Sequence, residues 1–135
     1  DDLPTLLCNR DQIMQVLINL LTNARDAMPD GGEIIIRVEH DPNESLFTLK
    51  VIDNGEGIPV EHQDQIYKPF FTTKPVGKGT GLGLFIVSGI VRSHGGEIEI
   101  ESLPGQGTIV TLTLAEVPPK DVPQPLTYGR YADFL

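Results

Sequence analysis

Residues 33–58 read EIIIRVEHDPNESLFTLKVIDNGEGI, and this stretch decides the fold. Apolar and polar residues alternate over 33–39, which is typical of a β-strand. Three of its apolar residues share one face: Ile34, Ile36 and Val38. Asp, Pro and Asn at 41–43 are turn residues, and a second alternating segment follows at 46–53. Two adjacent strands joined by a short turn predict an antiparallel pair.

The second strand carries a carboxylate on its apolar face. Phe47, Leu49 and Val51 predict the buried side, and the two-residue period of a strand places Asp53 on that same side. A buried carboxylate is costly unless a donor satisfies it. A purine exocyclic amine, or a water bound to it, is a suitable donor. The alternative is an Asp-Asn-Gly turn without a ligand, since such turns are common.

Further helices and strands flank this pair. The predicted elements are helices at 9–28, 60–68 and 82–93 and strands at 97–102 and 108–114. Asn9 and Gln12 fit a capping box at the start of the first helix, and His94 belongs to the end of the last. The order αββααββ predicts a mostly antiparallel sheet with helices on one face, which is a two-layer α/β sandwich.

Composition limits the classes of protein that fit. The chain has 135 residues, of which 39% are hydrophobic, and this predicts one domain with one core. The net charge of −9 argues against binding nucleic acid through its phosphates. Cys8 stands alone and excludes an internal disulfide. No run approaches the roughly 18 apolar residues that span a bilayer, so we expect a soluble piece.

A glycine-rich stretch, GKGTGLGL at 77–84, leads into the last predicted helix. It matches neither the dinucleotide fingerprint nor the Walker loop. Backbone amides at a helix start attract an anion, and a mobile hinge is the alternative, because glycine is common wherever the backbone turns. Lys68, Lys74 and Lys78 lie beside this stretch and could serve the same anion or simply be solvated.

Two amides lie on the first helix. Asn19 and Asn23 are four residues apart and therefore share one face. Each has an oxygen that could bind Mg²⁺, a cation that takes few protein ligands and completes its shell with water and phosphate oxygens. The alternative is that both amides bond to nearby backbone.

Five motifs in order carry a family resemblance: NLLTNARDAM, DNGEGI, IYKPFFTTK, GKGTGLGL and HGG. They resemble the asparagine, first glycine, phenylalanine and second glycine boxes, with the trailing His-Gly-Gly, of the catalytic ATP-binding domain of bacterial sensor histidine kinases. Gyrase B, the ninety-kilodalton heat-shock chaperone and MutL share this ATPase fold. The resemblance spans about residues 9–115 and implies a Bergerat-type sandwich, in which ATP lies between the helical layer and a flexible lid near 69–80.

The resemblance also implies roles for individual residues. Asn23 is implied as the Mg²⁺ ligand and Asn19 as its catalytic neighbour near the phosphates, while Asp53 is implied to bind the adenine amine. The other implied cofactor-binding positions are Gly55 and Gly57 at the adenine wall, Thr108 in support of Asp53, and Lys74, Lys78, Gly79, Thr80, Gly81, Leu82 and Gly83 at the phosphates.

Two departures from the family pattern bear on the reaction. ATP-hydrolysing relatives usually have Glu at the position of Asn19, and an amide cannot take a proton from water. Asn19 therefore favours transfer of phosphate to protein over hydrolysis. Many sensor kinases have Lys or Arg where this chain has Asp26, preceded by Arg25. The cation that contacts the phosphates is left open.

The resemblance implies that the chain binds Mg-ATP and transfers the γ-phosphate to a histidine on a separate dimerisation domain of a homodimer. None of His40, His62 and His94 is followed by an acidic residue, so we expect the acceptor before Asp1 in a longer protein. A response-regulator aspartate would receive the phosphate next. We expect a cytoplasmic location, with no nucleic acid partner and no direct membrane contact by this piece.

Two other functions remain as alternatives, namely a module that only binds nucleotide and a hydrolytic ATPase. Residues 1–116 are predicted to be the catalytic domain, and 117–135 a proline-containing tail.

Overall fold

A computed structural model describes residues 6, 8–66, 68 and 83–116. Its elements are α1 (Arg10–Asp26), β1 (Ile34–Asp41), β2 (Leu46–Asp53), a 3-10 helix (Val60–His62), α2 (Gly83–Ser93), β3 (Glu97–Leu103) and β4 (Gly107–Ala115). This order confirms the predicted one. The lid at 69–80 and the tail at 117–135 lie outside the described residues. Among those that are described, no helix is both long and apolar enough to cross a bilayer.

The helix predicted at 60–68 is wrong in its length, since only 60–62 form a helix, of the 3-10 type. The backbone bonds that follow also join residues three apart: the amides of Gln65 and Lys68 donate to His62 and Gln65, at 2.9 and 3.0 Å. The residue before a proline is disfavoured in the α conformation, and Pro69 comes next in the sequence. The segment therefore turns without continuing as an α-helix.

The strands form one sheet in the order β1-β2-β4-β3, and every pairing among the described residues is antiparallel. The first turn is fixed by Asp41, whose Oδ1 accepts the backbone N–H groups of Asn43 and Glu44, at 2.9 and 3.3 Å. β1 extends through Asp41 because His40 still pairs with Phe47, with ring centroids 4.8 Å apart.

The core lies between one face of the sheet and the two helices. α1 packs against β2 and α2, and α2 also packs against β3 and β4. The buried apolar residues are Val16, Leu20, Ala24, Phe47, Val51, Ile86, Val87, Ile90, Val91, Leu112 and Leu114. β1 lies at the edge of the sheet, beyond the helices. Its apolar residues Ile36 and Val38 are therefore exposed, although they share the face that β2 buries.

A buried histidine joins the start of α1 to the end of α2. The Asn9 side chain accepts the Gln12 N–H at 3.1 Å, which confirms Asn9 as the N-cap. The reciprocal half of the predicted capping box is wrong, because the Asn9 N–H donates to Nε2 of His94 at 3.1 Å. The His94 Nδ1 lies 2.8 Å from the Ile90 carbonyl oxygen. Since a carbonyl only accepts, Nδ1 carries the hydrogen.

Candidate functional site

Three polar side chains form a row at one end of the apolar sheet face. Asp53 pairs with Thr108 across β2 and β4, and Thr108 pairs with Ser102 across β4 and β3. Paired residues on neighbouring strands carry their side chains on the same face. Asp53 is 9% exposed and Thr108 is 8% exposed. The structure therefore buries Asp53, as the strand period predicts, and brings Thr108 beside it.

A turn directly after β2 fixes the Asp53 carboxylate. Its Oδ1 accepts the Gly55 N–H at 2.9 Å, an arrangement that Asp favours in turns. The next side chain, Asn54, accepts the Glu33 N–H at 2.9 Å. These bonds tie the end of β2 to the residue before β1. Because a buried carboxylate needs donors, the position suits a ligand that supplies an N–H group.

The loop after Asp53 passes close to two other backbone segments. A Cβ at Gly55 would lie 2.5 Å from the Ala27 carbonyl oxygen, and a Cβ at Gly57 would lie 2.5 Å from that of Leu103. Gly57 also has φ +73°, a conformation that disfavours side chains. The Glu56 N–H donates to the Ala27 carbonyl at 3.0 Å. Residues 55–57 thus form a wall between the end of α1 and the β3–β4 turn.

Asn19 lies against the first turn of α2. It is 3% exposed, and its Nδ2 has no hydrogen-bond partner within the described part of the chain. A Cβ at Gly83 would lie 4.0 Å from the Asn19 Cγ. The first amides of a helix have no partner within that helix. The structure therefore brings a buried donor to a helix N-terminus, an arrangement that suits an anionic oxygen.

Asn23 follows Asn19 one turn later on α1 and is less deeply buried. Its backbone oxygen accepts the Ala27 N–H at 3.1 Å. In the described ranges, no group of three or more His, Cys, Asp or Glu is placed to hold a metal. A metal at Asn23 would take its other ligands from water or from a bound ligand, as Mg²⁺ does.

The cationic side chains and the remaining glycines are only partly described. Arg25 is exposed at the end of α1, with Nη2 3.3 Å from Oδ1 of Asp26. Lys68 is exposed after the 3-10 helix. The other predicted phosphate contacts lie outside the described residues: Lys74, Lys78, Gly79, Thr80, Gly81 and Leu82.

The sequence prediction missed Ser102, which completes the polar row. On β3, Ser102 shares its face with Ile98 and Ile100, whereas the intervening Glu99 is exposed. The same two-residue period that found Asp53 places this hydroxyl on the apolar face. The signal was present in the sequence, although the cross-strand register that sets Ser102 beside Thr108 was not.

Known proteins were compared with this sequence and fold. The sequence profile of the family described as histidine kinase-, DNA gyrase B-, and HSP90-like ATPase matches residues 8–118. The sensor kinase CckA of Brucella abortus (strain 2308) is 42% identical over 126 residues, which cover 84% of this chain. The chain spans only 13% of the length of that kinase.

Two solved structures share the fold. The nucleotide-free catalytic domain of histidine kinase ThkA superposes with a TM-score of 0.72 at 37% identity, covering 84% of this chain and 72% of that one. Full-length ShkA in complex with AMPPNP superposes with a TM-score of 0.72 at 27% identity, covering 83% of this chain and 23% of that one.

Proposed function

Since the chain belongs to the family of histidine kinase-, DNA gyrase B- and HSP90-like ATPases, we propose that it binds Mg-ATP and phosphorylates a histidine of a separate helical domain. Similarity to a sensor kinase and to a histidine kinase catalytic domain favours the kinase branch of the family. The phosphate would pass next to an aspartate of a response regulator. Residues 1–116 would be the catalytic domain and 117–135 its tail, in a cytoplasmic location.

The observation that carries this proposal is the buried Asp53 at the open end of the sheet face. Asp53 is 9% exposed, and the exocyclic amine of adenine supplies the N–H donor that a buried carboxylate needs. Thr108 lies beside it in register, and the wall at Gly55 and Gly57 borders the same end of the sheet. The base would therefore bind against Asp53, with Thr108 in support.

The phosphates would bind near Asn19 and Asn23 on α1. Asn19 offers its buried Nδ2, and Gly83 lies against it at the start of α2. Asn23 would bind Mg²⁺ through its amide oxygen. When bound, the metal neutralises charge on the phosphate oxygens. The remaining lid positions proposed for phosphate contact are Lys74, Lys78, Gly79, Thr80, Gly81 and Leu82.

Asn19 also bears on the choice between transfer and hydrolysis. In the transfer reaction, a histidine nitrogen forms a bond to the γ-phosphorus as the bond from that phosphorus to the β,γ-bridging oxygen breaks. This reaction needs positioning and charge neutralisation. Hydrolysis also needs a base for water, and the amide of Asn19 is not a base. The position therefore favours phosphotransfer.

Calorimetric titration with Mg-ATP tests the site. We expect Asp53→Ala to weaken ATP binding by about 1–3 kcal/mol, because the amine of the bound base loses its acceptor in a buried position. Asp41→Ala is the matched control, since Asp41 also holds a turn through its carboxylate but lies at the opposite end of β1. The adenine assignment fails if the Asp53 and Asp41 variants bind ATP equally well.

A further inference from the structure

Ser102 lies next to the proposed nucleotide site and has no role assigned in it. It lies in register with Thr108, which in turn lies in register with Asp53. The next row of the same face is apolar, with Ile100, Val110 and Val51 in its place. The polar row is therefore confined to the end of the sheet where Asp53 is buried.

The Ser102 hydroxyl makes three contacts. Its Oγ accepts the Ile58 N–H at 2.7 Å and lies 2.8 Å from Oγ1 of Thr108 and 3.2 Å from the Gly107 carbonyl oxygen. A hydroxyl has one hydrogen to donate. When Ser102 donates to Thr108, the Thr108 hydrogen is free to point elsewhere. When Ser102 donates to Gly107, the Thr108 hydrogen bonds to Ser102. The contacts of Ser102 thus restrict the Thr108 hydroxyl to these two arrangements.

Ser102 also holds the loop that forms the wall of the site. Besides the Ile58 bond to its hydroxyl, its carbonyl oxygen accepts from Nε2 of Gln63 at 3.3 Å. The same Nε2 donates to the Ile58 carbonyl at 3.0 Å. The Gly105 N–H donates to the Glu56 carbonyl at 2.7 Å. The segment from Glu56 to Gln63 is therefore fastened to the β3–β4 turn, with Ser102 at the junction.

We propose that Ser102 is a positioning residue of the base subsite, which holds the loop that contains the wall at 55–57 and restricts the direction of the Thr108 hydroxyl beside Asp53. This inference rests on the proposed function, because it places the nucleotide base against Asp53. Ser102 acts through Thr108 and the Ile58 backbone. Replacing Ser102 should therefore lower the affinity for the nucleotide, and by the same factor for ATP and ADP because the two share the base.

The test is calorimetric titration of this chain with Mg-ATP and with Mg-ADP. Removal of the hydroxyl in Ser102→Ala is expected to weaken both nucleotides by about tenfold, as for the loss of one well-formed hydrogen-bonded group. Ser102→Thr keeps the hydroxyl and is expected to bind both nucleotides as tightly as the wild-type chain does. In an Asp53→Ala background, Ser102→Ala is expected to have a smaller effect, because residues that act on one group are not additive.

Ser93→Ala is the matched control. Ser93 is buried and its hydroxyl donates to the Ile90 carbonyl at 2.7 Å, near the end of α2 that lies away from Gly83. Its loss is expected to lower the melting temperature without changing nucleotide affinity. The inference is overturned if Ser102→Ala behaves like Ser93→Ala, or if Ser102→Thr binds as weakly as Ser102→Ala.

The same titration distinguishes failure of the proposed function from failure of the role of Ser102. If the unchanged chain binds no ATP, the proposed function is contradicted, and the role of Ser102 with it. If the unchanged chain binds ATP and Asp53→Ala weakens that binding while Ser102→Ala does not, only the role of Ser102 is contradicted.

Discussion

At the scale of the residue, Asn19 and Asp53 are both buried at the candidate site and differ in their hydrogen bonding. Asp53 accepts the Gly55 N–H at 2.9 Å, whereas Nδ2 of Asn19 has no partner in the part of the chain that the structure describes. A buried donor without an acceptor costs about 1–3 kcal/mol. A phosphate oxygen bound there would remove this cost, so we expect ligand binding to stabilise the fold through Asn19.

Asn19→Leu tests this link. We expect the free energy of unfolding without nucleotide to rise by about 1 kcal/mol, because an apolar side chain of similar size replaces a donor that has no partner among the described residues. Stabilisation by Mg-ATP should shrink, since a phosphate contact is lost. Urea unfolding with and without Mg-ATP measures both effects. Gln15→Leu, also amide to leucine on α1, is the control and should keep the full stabilisation by Mg-ATP.

Asn23→Ala tests the proposed metal ligand. We expect the wild-type chain to bind ATP more tightly with Mg²⁺ than with a chelator, because the Asn23 oxygen would help to hold the metal that accompanies the phosphates. In Asn23→Ala the two affinities should become nearly equal, and Mg²⁺-dependent phosphotransfer should be lost. Calorimetry in both conditions measures this difference. A variant that keeps the whole Mg²⁺ effect would show that another group binds the metal.

At the scale of the element, His94 couples the two long helices. Both of its ring nitrogens are engaged, one by the Asn9 N–H at the start of α1 and one at the Ile90 carbonyl near the end of α2. His94 is 4% exposed. Because Asn19 lies on α1 and Gly83 begins α2, the relative position of these helices sets the geometry of the proposed phosphate subsite.

His94→Ala is expected to lower the free energy of unfolding by about 2–3 kcal/mol, because it leaves the Asn9 N–H without its acceptor and empties a buried position. The Ile90 carbonyl keeps the Ser93 hydroxyl as a donor. Asn9→Ala removes only the side-chain cap and keeps the N–H bond to His94, so its cost should be about 1 kcal/mol. Urea unfolding of both variants compares them. Equal losses would mean that His94 does not couple the helices.

The elements also show what local sequence can predict. β2 has the predicted bounds, 46–53, because alternation and turn residues are local signals. The exposure of Ile36 and Val38 could not be predicted in this way, since it depends on the sheet order β1-β2-β4-β3 and on which strands the helices cover. Ser102 was missed for a related reason, because its role depends on the pairing of β3 with β4.

At the scale of the whole molecule, the net charge of the protein opposes binding of the anionic nucleotide proposed as its ligand. The chain has a net charge of −9, and ATP is itself strongly anionic. Binding therefore requires local compensation, for which the candidates are the amide groups at Asn19 and at the start of α2, the bound metal, and the lysines of the lid. We infer that the protein selects its ligand through these local donors and not through its overall field.

The contacts of the histidines show which ring nitrogens are available to accept a phosphate. His94 is buried with both nitrogens engaged, and His40 is held between Phe47 and Glu116, whose Oε2 lies 3.3 Å from its Nε2. His94 therefore presents no free nitrogen to a γ-phosphate, and Nε2 of His40 is occupied by Glu116.

The most direct test of the central claim follows the γ-phosphate of labelled Mg-ATP, with this domain and its helical phosphoacceptor domain present together. We predict acid-labile label on protein, as expected for phosphate on a histidine nitrogen, and less of that label with Asp53→Ala at the same ATP concentration. Release of the label as free phosphate, with none on protein, would contradict phosphotransfer and would support the hydrolytic ATPase instead.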